Sequence, residues 1–164
     1  MKGARRVLIA GGIALALLGM GYGLWYAVFA EHQELDGIGR TLASGFSAAA
    51  ERNPAAAGGA LQQYRERKYA YDRHVDVHGH WIGLAMLLIL VGIAYERVAF
   101  GERAKLLLAG SLLLGSLLFP MGVLLQTVSQ GAAPRGLAAG GSALVILSLA
   151  GMIVGFARTK ENPV

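Results

Sequence analysis

The stretch DRHVDVHGHWIGLAMLLILVGIAY, residues 72–95, decides the fold class, because it joins a cluster of ionisable side chains directly to an apolar run. Such a run approaches the roughly 20 residues that an α-helix needs to cross a hydrocarbon core. Within lipid, only a helix or a closed barrel satisfies every backbone polar group. The head of the stretch holds His74, His78 and His80 with Asp72 and Asp76, and the chain's only other histidine is His32. Ionisable groups at the mouth of a membrane span point to function.

Working outward, three more apolar windows appear, so that the spans fall at 7–29, 78–95, 106–128 and 137–157. A chain of 164 residues with 55% hydrophobic residues, 24 glycines and a positive mean hydropathy lacks the balance of a soluble domain. The expected fold is an all-α integral membrane protein: one membrane domain, residues 1–164, built as a four-transmembrane-helix bundle. Residues 30–77 form its one sizeable loop, helical and extramembrane. The first window, with Lys2, Arg5 and Arg6 before it and Val28-Phe29-Ala30 after it, has the outline of a secretory signal. It exceeds the ~7 to 15 residues of a signal core and ends in Trp25, Tyr26 and Phe29, an interfacial belt. It therefore reads as a retained anchor.

The net charge of +5 is unevenly placed. Lys2, Arg5, Arg6, Arg97, Arg103, Lys105, Arg158 and Lys160 share one side with only Glu96, Glu102 and Glu161, while the long loop mixes both signs. The positive-inside rule puts both termini in the cytoplasm and the His/Asp cluster on the outer side of the plasma (inner) membrane. No basic stripe interleaved with aromatics is present, which argues against nucleic-acid binding. Cysteine is absent, excluding disulfides, thiolate metal sites and c-type haem attachment.

Inside the long loop, Leu35, Ile38, Leu42 and Phe46 recur at three- and four-residue steps, the period of an amphipathic helix. This row is expected to lie over the outer end of the bundle and cover the histidines. Asn53-Pro54 stops the helix. After the small residues 55–60, the segment 61–72 is rich in helix formers and is expected to run without interruption into span two. Short turns at 96–105 and 129–136 make spans two to four a meander closed by span one. No internal repeat is evident. The pairs Gly19/Gly23, Gly79/Gly83, Ser111/Gly115, Gly136/Gly140 and Gly151/Gly155 have the spacing that lets helices approach closely in lipid. Pro120 is expected to kink span three and free carbonyls near Ser116 and Phe119. Met20, Met86, Met121 and Met152, one per span, read as packing residues.

On a helix, residues 72–80 split into two rows. His74 and His78 stack on one face, and Asp72, Asp76 and His80 form another, roughly 160 to 200° away. The first is a two-histidine clip for one metal ion, and the second a carboxylate–histidine ladder that could fix a tautomer. An extended strand would place all five together. That alternative resembles the Asp-x-His-x-His metal strand of amidohydrolase barrels, but such a barrel takes about 250 residues, which this chain lacks.

The His78-Gly79-His80 entry into an apolar helix, with Gly83, resembles the haem- and copper-binding helices of membrane oxidases and of NnrS-type haem-copper proteins. The resemblance implies a haem b, copper or zinc ion with His78, His80 and His32 as cofactor-binding residues. For a metal, His74, His78 and His80 are the candidate ligands, with Asp72 and Asp76 auxiliary. No histidine lies on spans three or four, which argues against a complete dinuclear oxidase centre. A quinone is a further candidate, with His78, His80 and Gln126 as polar contacts in an apolar cleft. The expected function is haem or transition-metal binding in a respiratory or redox system. The alternative is a non-catalytic accessory subunit or assembly factor of a larger membrane complex. Both have lipid and other membrane subunits, or a homo-oligomer, as partners. An activated nucleophile and a phosphate loop are absent.

Overall fold

The computed structural model describes residues 3–158; Lys2, Lys160 and Glu161, which contribute to the charge asymmetry, lie outside them. Five helices follow in order: α1 Gly3–Phe29, α2 Glu31–Ala50, α3 Pro54–Ala94, α4 Glu102–Leu125 and α5 Ala132–Ala157. A 3-10 turn, Tyr95–Arg97, closes α3. The protein is an all-α integral membrane protein in which α1, α3, α4 and α5 are long and apolar enough to cross a bilayer. Exposed Leu17 and Leu24 on α1, Leu90 on α3, Leu107 on α4 and Ile153 on α5 meet lipid.

Span two is only the second half of a longer element. At 1.5 Å per residue the 41 residues of α3 extend about 60 Å, twice a hydrocarbon core of about 30 Å. The expected continuity from residue 61 into the span is present, and the helix starts earlier still, at Pro54. Asn53 caps it by accepting from Ala56 N at 3.1 Å, and Pro54 occupies a first-turn position where no N–H is needed. Opposite, α1 and α2 meet at Ala30 with little break: Ala30 N donates to Tyr26 O at 2.9 Å and Glu34 N to Ala30 O at 3.1 Å. The first half of the chain is thus one long antiparallel hairpin, turned at Glu51-Arg52-Asn53.

α1, α3 and α4 pack on one another, and α5 makes its extensive contacts with α4 alone. Leu8, Leu15, Val77, Trp81, Leu88 and Leu112 are buried in this core. Small residues set the close approaches, but not all the pairs that the spacing suggests. Gly19 and Gly23 meet α3, Gly115 meets α5, and Gly151 and Gly155 meet Leu108 and Phe100, whereas Gly79, Gly83, Gly136 and Gly140 face open space. At the α4–α5 crossing the work falls to Gly122 against Ala138 and Gly141 against Phe119. Pro120 sits inside α4, which stays helical through it. α5 begins at Ala132, ahead of the expected 137, and takes Pro134 into its first turn.

At the end where α1 begins and α5 finishes, Arg5 pairs with Glu96 at 3.1 Å. Buried Lys105 donates from Nζ to the Glu96 carbonyl at 3.3 Å, and the Tyr95 hydroxyl donates to the Lys105 carbonyl at 2.7 Å. Ala99 N donates to Gly155 O at 3.0 Å, tying this turn to α5.

The other end departs from expectation. Of the row Leu35, Ile38, Leu42 and Phe46, Ile38 is half-buried while Leu35, Leu42 and Phe46 are 46%, 40% and 74% exposed, so the row as a whole does not turn inward to cover the histidines. α2 turns Gly37, Thr41 and Ala48 inward instead. Small residues let α2 approach α3 closely, and the larger row, on the same period, is left outside.

Candidate functional site

Residues 72–80 are regular helix through Gly79, so the two rows of the sequence reading exist. They face different neighbours. His74 and His78 look toward α1. The His74 ring stacks on Tyr26 at 4.7 Å with 19° between planes, and its Nδ1 is hydrogen-bonded to the Tyr22 hydroxyl. Tyr22 in turn meets Trp81 edge-on at 5.3 Å. His78 Nδ1 lies 2.9 Å from the Gly19 carbonyl. A carbonyl only accepts, so Nδ1 carries the proton of this hydrogen bond. The imidazole fits because α1 has no side chain at Gly23, where a methyl group would overlap it.

His80 points elsewhere, packing on Phe119 of α4 at 4.7 Å. In the carboxylate–histidine row, Asp76 lies in an ion pair with Arg73 at 3.4 Å. Asp72 takes Lys68 one turn back, and that hydrogen bond holds the ammonium above its ordinary pKa. His32 is not brought to the cluster: its side chain is 87% exposed on α2 and lies 3.5 Å from Asp36. Among the described residues, no three His, Asp or Glu side chains are placed to hold one metal ion.

The expected quinone contacts likewise face different neighbours, His78 toward Gly19 of α1 and His80 toward Phe119 of α4. Gln126 Oε1 accepts from Tyr69 at 3.1 Å, and its Nε2 donates to the Gly122 carbonyl at 3.4 Å, so this side chain ties α3 to α4. A cleft of about 440 Å³ opens between α1 and α4, lined by Gly11, Leu15, Leu18, Gly110, Leu113 and Leu117 among other apolar residues, with no histidine. Met152 is buried whereas Met20 and Met86 face outward, so these three share no site.

Sequence reasoning missed the tyrosines. Tyr26 is buried against His74, not part of a lipid-facing belt, whereas Trp25 and Phe29 are exposed. The signal was available. Gly19, Tyr22, Gly23 and Tyr26 share one helical face, and His74, His78 and Trp81 share another. The α1 face alternates notch and ring, and the α3 face brings the rings that fill it. The Tyr26 hydroxyl and Trp81 Nε1 are buried there without a hydrogen-bond partner. Tyr69 also carries the Arg73 guanidinium over its ring at 5.1 Å.

No family model, curated protein or solved structure shows a significant match to this chain. Its function must therefore be argued from its own residues.

Proposed function

We propose that this protein is a non-catalytic accessory subunit or assembly factor of a larger membrane complex, held by four spans and working through its projecting α2–α3 hairpin. One observation carries the reading: each candidate ligand is engaged by a different neighbour. Tyr22 and Tyr26 take His74, Gly19 takes His78, Phe119 takes His80, Lys68 takes Asp72, Arg73 takes Asp76, and Asp36 lies beside His32. The cluster acts as packing chemistry between α1, α3 and α4. The exposed Leu35, Leu42 and Phe46 row supports the hairpin as the element that meets a partner. Arg5, Arg6, Arg97, Arg103 and Arg158 gather at the terminus end, which supports cytoplasmic termini and a hairpin on the outer side of the plasma membrane.

A second reading, binding of haem b, copper or zinc in a redox system, is favoured by His78 alone. Its Nδ1–H is fixed by a backbone carbonyl, the arrangement that orients an imidazole to ligate through Nε2. Metal analysis and an optical spectrum of the purified protein separate the two. The accessory reading expects no stoichiometric haem, copper or zinc, and migration from native membranes above the mass of two 17.2 kDa chains. A stoichiometric cofactor lost in His78→Ala would overturn it in favour of the second reading.

A further inference from the structure

The outward face of the hairpin is built from both helices. Leu35, Leu42, Phe46 and Ala49 on α2 run beside Ala57, Leu61, Tyr64 and Lys68 on α3, each set advancing by the three-, four- or seven-residue steps of one helix face. Between them lies a groove of about 280 Å³, with Leu42, Phe46, Leu61 and Tyr64 on its walls. Three pairs fix the register of the two helices. Gly37 lies against Arg67, Gly45 against Ala60, and the Tyr71 hydroxyl reaches Glu31 at 3.4 Å. Along the hairpin axis, Asp36 is therefore level with Lys68, Leu42 with Gln62, and Phe46 with Gly58 to within one residue.

We propose that this face docks on the same face of a second copy of the chain, forming a two-fold hairpin dimer outside the bilayer. The inference rests on the accessory reading in taking the hairpin as a protein-contact element. Two copies anchored in one membrane present their hairpins at the same height, and a two-fold axis along the membrane normal preserves that height. Face-to-face packing about this axis sets α2 of each copy over α3 of the other, at equal level. Residues that are level within one hairpin then meet between hairpins.

The surface is complementary under this operation. Phe46 comes over Gly58 of the other copy, where the backbone is open because a methyl group would touch nothing. Leu42 comes beside Leu61 and Gln62, closing the groove from the far side. On the flank of the face, exposed Asp36 arrives level with Lys68 of the other copy and about one turn from its Arg65. A like-charged contact at these positions is avoided, as an isologous interface requires. Two helices each about 10 Å wide over the 30 Å of α2 give a face on the order of 600 Å². That approaches the ~800 Å² per partner of a standard interface, before any contact between membrane spans is added.

The absence of native cysteine makes the test direct. Two differently tagged chains, one Phe46→Cys and the other Gly58→Cys, are co-expressed and oxidised in native membranes. The expected result is a mixed disulfide carrying both tags, and none when Ser47→Cys, on another face of α2, replaces Phe46→Cys. Asp36→Arg in both chains should lower the crosslinked fraction several-fold, and adding Arg65→Glu to both should restore it. Absence of the Phe46/Gly58 crosslink above the Ser47 control overturns the dimer. If the crosslink is absent but Phe46→Asp collapses a native assembly larger than two chains, the accessory reading stands and the second copy falls. If the crosslink forms and nothing larger than a dimer exists, the dimer stands and the accessory reading falls.

Discussion

His78 and Gly23 show how one missing side chain decides what a neighbour can do. The imidazole occupies the notch that Gly23 leaves on α1, while Gly79, its own neighbour on α3, faces open space. Gly23→Leu should therefore force α1 from α3 and cost about 1 to 3 kcal/mol by overpacking, read as a lower midpoint in detergent unfolding. Gly79→Ala should cost nothing, and an equal loss in both variants would contradict the geometry. The two tyrosines give a second contrast. Tyr22 hydrogen-bonds His74, whereas the Tyr26 hydroxyl is buried without a partner. Tyr22→Phe should lose about 0.5 to 1.5 kcal/mol. Tyr26→Phe, which removes an unsatisfied hydroxyl and keeps the ring on His74, should be neutral or stabilising. The reverse order would mean that the Tyr26 hydroxyl holds something other than protein.

At the scale of elements, the hairpin tip concentrates the local chemistry. Arg52 is held at φ 54°, a left-handed conformation that costs a side-chain-bearing residue roughly 1 to 2 kcal/mol, and Asn53 caps α3. Arg52→Gly should gain about 1 kcal/mol and Asn53→Ala should lose about as much, both measurable as shifts in unfolding midpoint. Unchanged stability in both would show that the tip contributes little to the fold. Much of this element was legible: Asn53-Pro54 marks the stop, and the Gln-, Arg- and Lys-rich segment after residue 60 reads as helix. The start of α3 was not, because Ala55 to Ala60 suits a link as well as a helix. The facing of α2 was not legible for a stronger reason. The large row Leu35, Ile38, Leu42, Phe46 and the small row Gly37, Thr41, Ala48 share a period and adjoin at half-buried Ile38, and period alone does not say which is inside. Amphipathicity favours burying the large row, while close helix approach favours the small one. The same ambiguity hid Gly141 behind Gly140, and for His74, His78 and His80 the spacing was legible whereas the partners, on α1 and α4, were not.

At the scale of the whole molecule, α3 is the ruler that separates two compartments. Ser47 is exposed on the hairpin and Gly101 is exposed in the turn after α3, with the apolar half of α3 between them. A single helix crossing the bilayer must put these two positions on opposite sides. Which side is which depends on charge: Arg5, Arg97, Arg103 and Arg158 sit at the Gly101 end, opposed there by Glu96 and Glu102, whereas the hairpin carries nearly balanced charge. Lys/Arg bias sets orientation with little weight from carboxylates, so the Gly101 end is expected in the cytoplasm. In intact cells an impermeant thiol reagent should label Ser47→Cys at once and Gly101→Cys only after the membrane is opened. Labelling in the reverse order would invert the orientation while leaving the fold intact. Labelling of both from one side would reject the crossing of α3 itself, since no other element stands between the two positions along the chain.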